Sequence, residues 1–160
     1  MDLIANNVRL DDTEFKIFAI DARQRLQRSL VARYGLDVGM DATEDCLVFA
    51  WEHWERIRSM ANPVGYLWRV GRSSANKQMG WRRRAQFPPE GVAHHDSTTV
   101  DLSRALARLH PAQRTCVLLV HGHGWSYAEV ADHLGVSVPA VTNHVHRGLK
   151  ALRDATGEIK

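Results

Sequence analysis

Residues 126–153 read SYAEVADHLGVSVPAVTNHVHRGLKALR, and they restrict the fold more than any other stretch of the chain. Ser126 and Glu129 stand three apart ahead of an apolar pattern, the arrangement of a capping box that starts a helix. Val130, Ala131 and Leu134 then face inward, and Ala131 is small where a second helix has to cross closely. Gly135 supplies the positive φ of a sharp turn. Ser137 caps the second helix, with Pro139 in its first turn. Val141, Val145, Leu149 and Leu152 form its buried stripe. Ala131, Gly135 and Val141 hold the spacing of a helix-turn-helix.

The second helix turns a different set of side chains outward: Ala140, Thr142, Asn143, His146, Arg147 and Lys150. Asn pairs bidentately with adenine and Arg with guanine, while Thr can touch a thymine methyl. A recognition helix in the major groove needs these types near its N-terminal half. The bland alternative is a helical hairpin with a solvated polar face.

The rest of the chain also reads as helix. Asp11 and Glu14 can form a capping box. Phe15, Phe18, Ala19, Ala22, Leu26 and Leu30 then recur at helical spacing, which predicts a helix over 13–34 ended by Gly35. Asp41 and Glu44 offer another box, with Thr43, Leu47, Ala50, Trp51, Trp54 and Ile57 on the buried face of a second helix. Residues 58–62 should be a loop, and Asn62 can cap a third helix that opens at Pro63, buries Leu67, Val70, Gly71 and Ser74, and runs to Arg84. Residues 86–99, QFPPEGVAHHDSTT, lack periodicity and read as a linker. Beyond it, Leu102, Ala105, Leu106 and Leu109 mark a short helix, and Pro111 opens one that packs through Cys116, Val117 and Val120 and stops near Gly122 and Gly124. No alternating strand pattern is present. The expected fold is all-α: two small helical domains, 1–85 and 101–160, joined by a flexible linker over 86–100.

Hydrophobic residues make up 44% of the 160, enough for real cores, and the formal net charge of +3 suits a nucleic-acid partner without strong nonspecific binding. Cys46 and Cys116, the only cysteines, give neither a disulfide framework nor a CxxC motif, which fits a reduced cytoplasmic setting. No apolar run approaches the roughly 20 residues of a membrane helix. His121 with His123, and His144 with His146, are two apart rather than the three or four that helical metal pairs prefer, so no metal and no cofactor is expected.

Charge divides sharply along the chain. Residues 37–55 carry Asp37, Asp41, Glu44, Asp45, Glu52 and Glu55 with no Lys or Arg. Residues 56–89 carry Arg56, Arg58, Arg69, Arg72, Lys77, Arg82, Arg83 and Arg84 with no Asp or Glu. Phosphates repel the first segment and attract the second. The acidic helix therefore calls for a basic partner other than DNA, unless Asp41, Glu44 and Asp45 merely favour a helix N-terminus. The basic helix adds Tyr66, Trp68 and Trp81, rings that can either stack on unpaired bases or pack in the core. The short loop Ser59-Met60-Ala61-Asn62 beside it is polar enough to hold a flipped base.

Taken together, DATEDCLVFAWEHWERIRSMANPVGYLWRVGRSSANK and LARLHPAQRTCVLLVHGHGWSYAEVADHLGVSVPAVTNHVHRGLKALR resemble regions 2 and 4 of bacterial sigma factors of the extracytoplasmic-function type. The order, spacing and short linker agree, and the resemblance covers nearly the whole chain. It implies a non-enzymatic initiation factor with three surfaces. Asp41, Glu44, Asp45, Val48, Phe49 and Glu52 would meet the β′ clamp helices of core RNA polymerase. Arg58, Met60, Asn62, Tyr66, Trp68, Arg69, Arg72, Ser73 and Lys77 would melt and read the −10 element of promoter DNA. Ser126, Pro139, Ala140, Thr142, Asn143, His146, Arg147 and Lys150 would read the −35 element, with region 4 also touching the β flap. Many members of the family have an anti-sigma partner.

The chain departs from the family pattern in places. Ser73 replaces a common Asn, Phe49 stands where a polar residue is usual, and Thr142 and His144 occupy positions that are usually basic. Promoter preferences therefore do not carry over from other members. The rival expectation is a helix-turn-helix regulator that never engages polymerase, with residues 37–84 as a dimerisation or sensing domain. A polymerase-binding decoy with a degraded recognition helix is the third.

Overall fold

The computed structural model describes the backbone of residues 2–84 and 97–157, and the side chains of residues 11–80 and 101–157. Every regular element in it is a helix. The first group comprises α1 (Asp2–Tyr34), α2 (Leu36–Glu52), the single turn α3 (Trp54–Ile57) and α4 (Pro63–Arg84). The second comprises α5 (Ser97–Arg108), α6 (Pro111–Val117), α7 (Tyr127–Leu134) and α8 (Val138–Thr156). The last turn of α6 widens into a π-helical stretch, Leu118–Gly122.

Helix α1 begins eleven residues before the expected start. Asp11 does not cap it; its carboxylate accepts from the Arg58 guanidinium at 2.5 Å. The remote ion pair took the side chain that sequence spacing had assigned to a local cap. Gly35, at φ 89°, turns α1 directly into α2 with no loop between them. The second helix therefore starts at Leu36, and Asp41, Glu44 and Asp45 lie in its middle. The helix N-terminus explanation for those three acids is removed, since only Asp37 is in the first turn. By contrast, α4 starts as expected: Pro63 opens it, and the Asn62 Oδ1 accepts from Gly65 N at 2.9 Å.

The first core contains Ala22, Leu26 and Leu30 of α1, Val38, Ala42, Cys46, Leu47 and Ala50 of α2, Trp54 and Ile57, and Val64, Leu67, Trp68 and Ala75 of α4. Trp51 is not in it. Its ring is 53% exposed, although Phe15 meets its edge at 4.9 Å. The buried face of α2 runs through 43, 46, 47 and 50, and residue 51 lies about 100° round the helix from Ala50, outside that face. The second core joins Cys116, Leu119, Val130, Ala131, Val141 and Val145. Leu102, expected inward on α5, is half exposed because Ala105 and Leu109 take the buried face. Helix α5 already runs through residues 97–100, which the sequence assigned to the linker; residues 85–96 lie outside the described residues. Cys46 and Cys116 are free and buried, and burial pushes their thiols up to about 12 and about 11.

The two helical groups pack against each other. Arg114 of α6 reaches the C-terminus of α1, donating from Nε to the Ala32 carbonyl at 2.8 Å and from Nη2 to the Arg33 carbonyl at 2.5 Å. A guanidinium there satisfies carbonyls that the helix cannot pair itself and meets the negative end of its dipole. His133 of α7 is fully buried against α1, its Nε2 2.8 Å from Ser29 Oγ. Leu134 packs against both cores.

Candidate nucleic-acid and protein interfaces

On α2, the outward stripe runs Asp37, Asp41, Glu44, Val48, Trp51, Glu52, with Glu55 continuing it on α3; all are exposed. Two large apolar side chains sit among acids, Val48 at 58% and Trp51 at 53% exposure. The negative field is weaker than the sequence implied, because Arg23 of α1 pairs with Glu44 and the Ser74 hydroxyl donates to Asp45 at 2.5 Å. Phe49 does not face outward with this stripe. It is half-buried, stacked on His53 at 4.2 Å and tilted against Tyr66 at 6.3 Å. That packing accounts for an aromatic residue where the family usually has a polar one. Trp51 is the surface residue that sequence reasoning missed. Its offset of seven from Glu44 and three from Val48 was the available signal.

The expected −10 residues separate into two sets. Arg69, Ser73 and Lys77 recur at four-residue spacing on α4, all exposed. Arg69 and Lys77 have no hydrogen-bond or ion-pair partner among the described residues. Arg72, on the flank of this row, is half-buried. The remaining side chains are engaged. Arg58 binds Asp11, Glu14 at 2.9 Å and Glu55 at 3.6 Å, and the Asp11 hydrogen bond raises its pKa further. Its charge is spent inside the first helical group rather than offered to a phosphate. Met60 is half-buried against the first core. Tyr66 takes a hydrogen bond on its phenol from Arg56 at 3.1 Å, with the guanidinium 5.7 Å from its ring centre. Trp68 is 1% exposed and tilted against His133 at 5.6 Å, so in this conformation it packs rather than stacks on a base. Asn62 Nδ2 donates to the Asp132 carbonyl at 3.2 Å and to its carboxylate at 3.3 Å. The side chains of Arg82 to Arg84 and Trp81 lie outside the described residues.

The helix-turn-helix forms as its spacing requires. Ser126 and Glu129 make a reciprocal capping box, with Ser126 N donating to Glu129 Oε2 at 2.7 Å and Glu129 N to Ser126 Oγ at 3.1 Å. Hydrogen bonding of the Glu129 carboxylate to the Ser126 backbone N–H, and then to its hydroxyl, holds that carboxyl below its ordinary value. Gly135 takes the left-handed turn at φ 68°, and Ser137 Oγ caps α8 by accepting from Ala140 N at 3.2 Å. Asn143, His146, Arg147 and Lys150 are exposed on α8, with no hydrogen-bond partner among the described residues. Thr142 is exposed too, but its hydroxyl turns back to the Val138 carbonyl at 3.0 Å. Its methyl is the group left for a base. Pro139 is exposed and Ala140 half-buried, at the helix start. His144 is half-buried, and burial with nearby His110, Arg147 and Arg33 lowers its pKa, so it supplies no positive charge where the family usually has one.

Residues 99–152 match the family model described as sigma-70, region 4. The chain is 28% identical to the ECF RNA polymerase sigma factor SigL of Mycobacterium tuberculosis over 135 residues, covering 74% of this chain and 75% of that one. It is 29% identical to the RNA polymerase sigma-E factor of Streptomyces avermitilis over 143 residues, 84% of this chain and 70% of that one. A shorter match, 39% identical over 66 residues, joins it to the ECF sigma factor SigE of Mycolicibacterium smegmatis; it spans 41% of this chain and about a quarter of that relative. Over most of its length the chain is thus similar to extracytoplasmic-function sigma factors. Its fold is similar to that of the sigma factor RpoE in its complex with the anti-sigma factor NepR from Bartonella quintana, with a TM-score of 0.67 at 23% identity, covering 92% of this chain and 99% of that one. The region 4 match runs from within α5 to within α8 and takes in the helix-turn-helix. Among the described residues there is no group of three or more side chains that could hold a metal, and no helix is long and apolar enough to cross a membrane.

Proposed function

We propose that this protein is an alternative sigma factor that binds core RNA polymerase in the cytoplasm and directs promoter-specific initiation. One observation supports the reading: a single chain presents an acid-rimmed apolar stripe on α2 and an exposed face of Asn143, His146, Arg147 and Lys150 on α8. A DNA-binding regulator needs only the second. The first repels phosphate and offers Val48 and Trp51, the kind of aromatic and aliphatic anchors around which protein interfaces concentrate their energy. Acids around the anchors would steer a basic partner surface.

In this reading Asp41, Glu44, Asp45, Val48, Trp51 and Glu52 meet polymerase. Arg69, Arg72, Ser73 and Lys77 track the backbone at the −10 element, while Asn62 takes an unpaired base. Asn143, Arg147 and Lys150 read the −35 element, and Thr142 contributes a methyl contact. Residues 1–85 form the melting unit and 101–160 the −35 unit, joined through 86–100. An anti-sigma factor is a further expected partner.

The test is co-purification with core polymerase, followed by run-off transcription from the chain's own upstream region. Trp51→Ala should lower polymerase affinity at least 30-fold, about 2 kcal/mol, while the helical circular dichroism stays unchanged. Core binding by Trp51→Ala and Val48→Lys at wild-type strength would remove α2 from the interface and favour the ordinary regulator.

A further inference from the structure

The first turn of α8 carries apolar groups that the fold itself does not use. Val136 and Val138, on either side of the Ser137 cap, are 42% and 43% exposed, and neither belongs to the second core. Pro139 is exposed as well. Together with Thr142, Asn143 and His146 on the following turns, Val138 and Pro139 line an open cleft on the outward face of the helix. That first turn holds no acid, although Asp or Glu there would stabilise the helix through its dipole. A helix start built without acids is one that negatively charged DNA can approach.

The cleft is stiff and one wall of it is hydrocarbon. Val138 is β-branched and restricted at χ1, and the Pro139 ring has little freedom. The Thr142 hydroxyl donates to the Val138 carbonyl at 3.0 Å, which selects one rotamer and commits the only polar atom among these three side chains. Asn143, the next residue along, is exposed with its amide free of partners among the described residues. A hydrocarbon wall beside a free amide matches the major-groove edge of A·T-containing sequence. Adenine offers N6 and N7 to an Asn amide, and thymine is the base that places a methyl group in that groove.

We propose that Val138, Pro139 and Thr142 form a seat for the 5-methyl group of a thymine in duplex DNA, beside the adenine that Asn143 reads. The proposal rests on the part of the functional reading that makes α8 a duplex reader, and not on polymerase binding. It adds Val138 to the residues that set base preference, where the sequence pattern marks it only as the start of a helix. An apolar side chain of a protein partner is the other group that such a cleft could hold. The exposed Asn143, His146, Arg147 and Lys150 around it and the acid-free turn favour DNA.

The experiment takes the full chain and a pool of duplexes carrying 12 random base pairs between fixed ends. Selection is run on the chain alone and with core RNA polymerase added. In the enriched duplex each thymine is then replaced singly by deoxyuridine, which removes the methyl and leaves every hydrogen-bonding group in place. Fluorescence anisotropy gives the affinities. At one position deoxyuridine should weaken binding about fourfold, the loss of one buried methyl. Thr142→Ser keeps the hydroxyl and removes the methyl, and Val138→Ala trims the opposite wall; each should bring thymine and deoxyuridine within about twofold of each other there. Thr142→Val, which keeps methyl groups and loses the hydroxyl, should retain the full difference. Unchanged helical circular dichroism establishes that each variant is folded. Indifference to deoxyuridine at every position would overturn the proposal, as would a difference that survives Thr142→Ser and Val138→Ala combined, or one that Thr142→Val abolishes. So would a selection that enriches no sequence under either condition, or only sequences without thymine. A methyl effect measured on the chain alone stands whether or not polymerase binds, so failure here is separable from failure of the sigma-factor reading.

Discussion

On the proposed reading helix α8 and the start of α4 both meet DNA, and they are built to opposite plans. On α8 Asn143, His146, Arg147 and Lys150 point to solvent, while the Thr142 and Thr156 hydroxyls turn back on their own backbone. At α4, Arg58 is held by three carboxylates, Asn62 by Asp132, and Trp68 by His133. Major-groove readout meets an intact duplex, so its donors can wait exposed. Melting exposes apolar rings and bare amides that bind single strands with little sequence discrimination. A free protein with that surface open would bind unpaired nucleic acid wherever it occurred. The contrast separates a surface whose specificity lies in its own geometry from one whose specificity needs timing.

The largest effect that would sharpen this contrast comes from removing one reader on each side. Arg147→Ala should cost roughly 1–3 kcal/mol in binding to promoter duplex and relax the preference at one −35 position. The loss should be the same in wild type and in Arg114→Gln, which lacks the contacts to the end of α1, since α8 is unobstructed in both. Asn62→Ala should leave single-strand binding by the wild type nearly unchanged and weaken it in Arg114→Gln, where the packing between the helical groups is loosened. A systematic affinity comparison over both backgrounds is the check. Equal losses for Asn62→Ala in the two would erase the distinction between the surfaces.

The sequence made one side of this comparison readable and not the other. The helix-turn-helix is local: Ser126 caps with Glu129, Gly135 turns, Ser137 caps, and the exposed stripe of α8 follows from the periodicity of its buried one. The Asn62 cap and the Pro63 start of α4 are local in the same sense. What could not be read were contacts between positions far apart in the chain. Asp11 has the right spacing from Glu14 to be a cap, yet it serves Arg58, 47 residues away. His133 and Ser29, 104 residues apart, are both polar, and periodicity alone assigns such residues to solvent. Trp51 erred the other way, since a large ring four positions from Leu47 looks like core until Trp54 claims that face.

An intermediate effect follows from the buried imidazole. His133 faces Ser29 and Arg25 of α1, Trp68 of α4 and Trp125, with Glu129 and Asp132 on its own helix. Burial, with Arg25 adding to it, lowers its pKa from 6.5 to about 3. The packed form therefore takes up fewer protons than one in which the two helical groups have separated. That packing is at full strength above about pH 6.5 and weakens as pH falls from there toward 3. His123 adds to this in the same direction, its pKa lowered by burial and by Arg28 of α1. Between pH 7.5 and 5.5 the separation equilibrium should shift about tenfold, at about 1.4 kcal/mol per unit below 6.5. The distance distribution between nitroxide labels on Ile17→Cys and Asp154→Cys, read by pulsed electron resonance, should broaden over that range, and much less so in His133→Asn. A pH-independent distribution in the otherwise unaltered chain would show that His133 is not part of what holds the two groups together.

The smallest expected effect separates the two jobs of the helix-turn-helix. Ser126 caps α7, which packs against the first helical group, and leaves the cap of α8 to Ser137. Ser126→Ala should remove about 1 kcal/mol of stability, read as a lowered melting temperature. Loosening the first turn of α7 should also weaken that packing slightly, since Asp132 and His133 ride on the same short helix. Duplex binding through Asn143 and Arg147 should stay within twofold of wild type, because α8 keeps its own cap and its packing through Val141 and Val145. A gel shift on promoter duplex and a single-strand titration, run on one preparation, make the comparison. If Ser126→Ala weakens duplex binding as strongly as Arg147→Ala does, then Ser126 itself touches DNA, and the cap is not its main role.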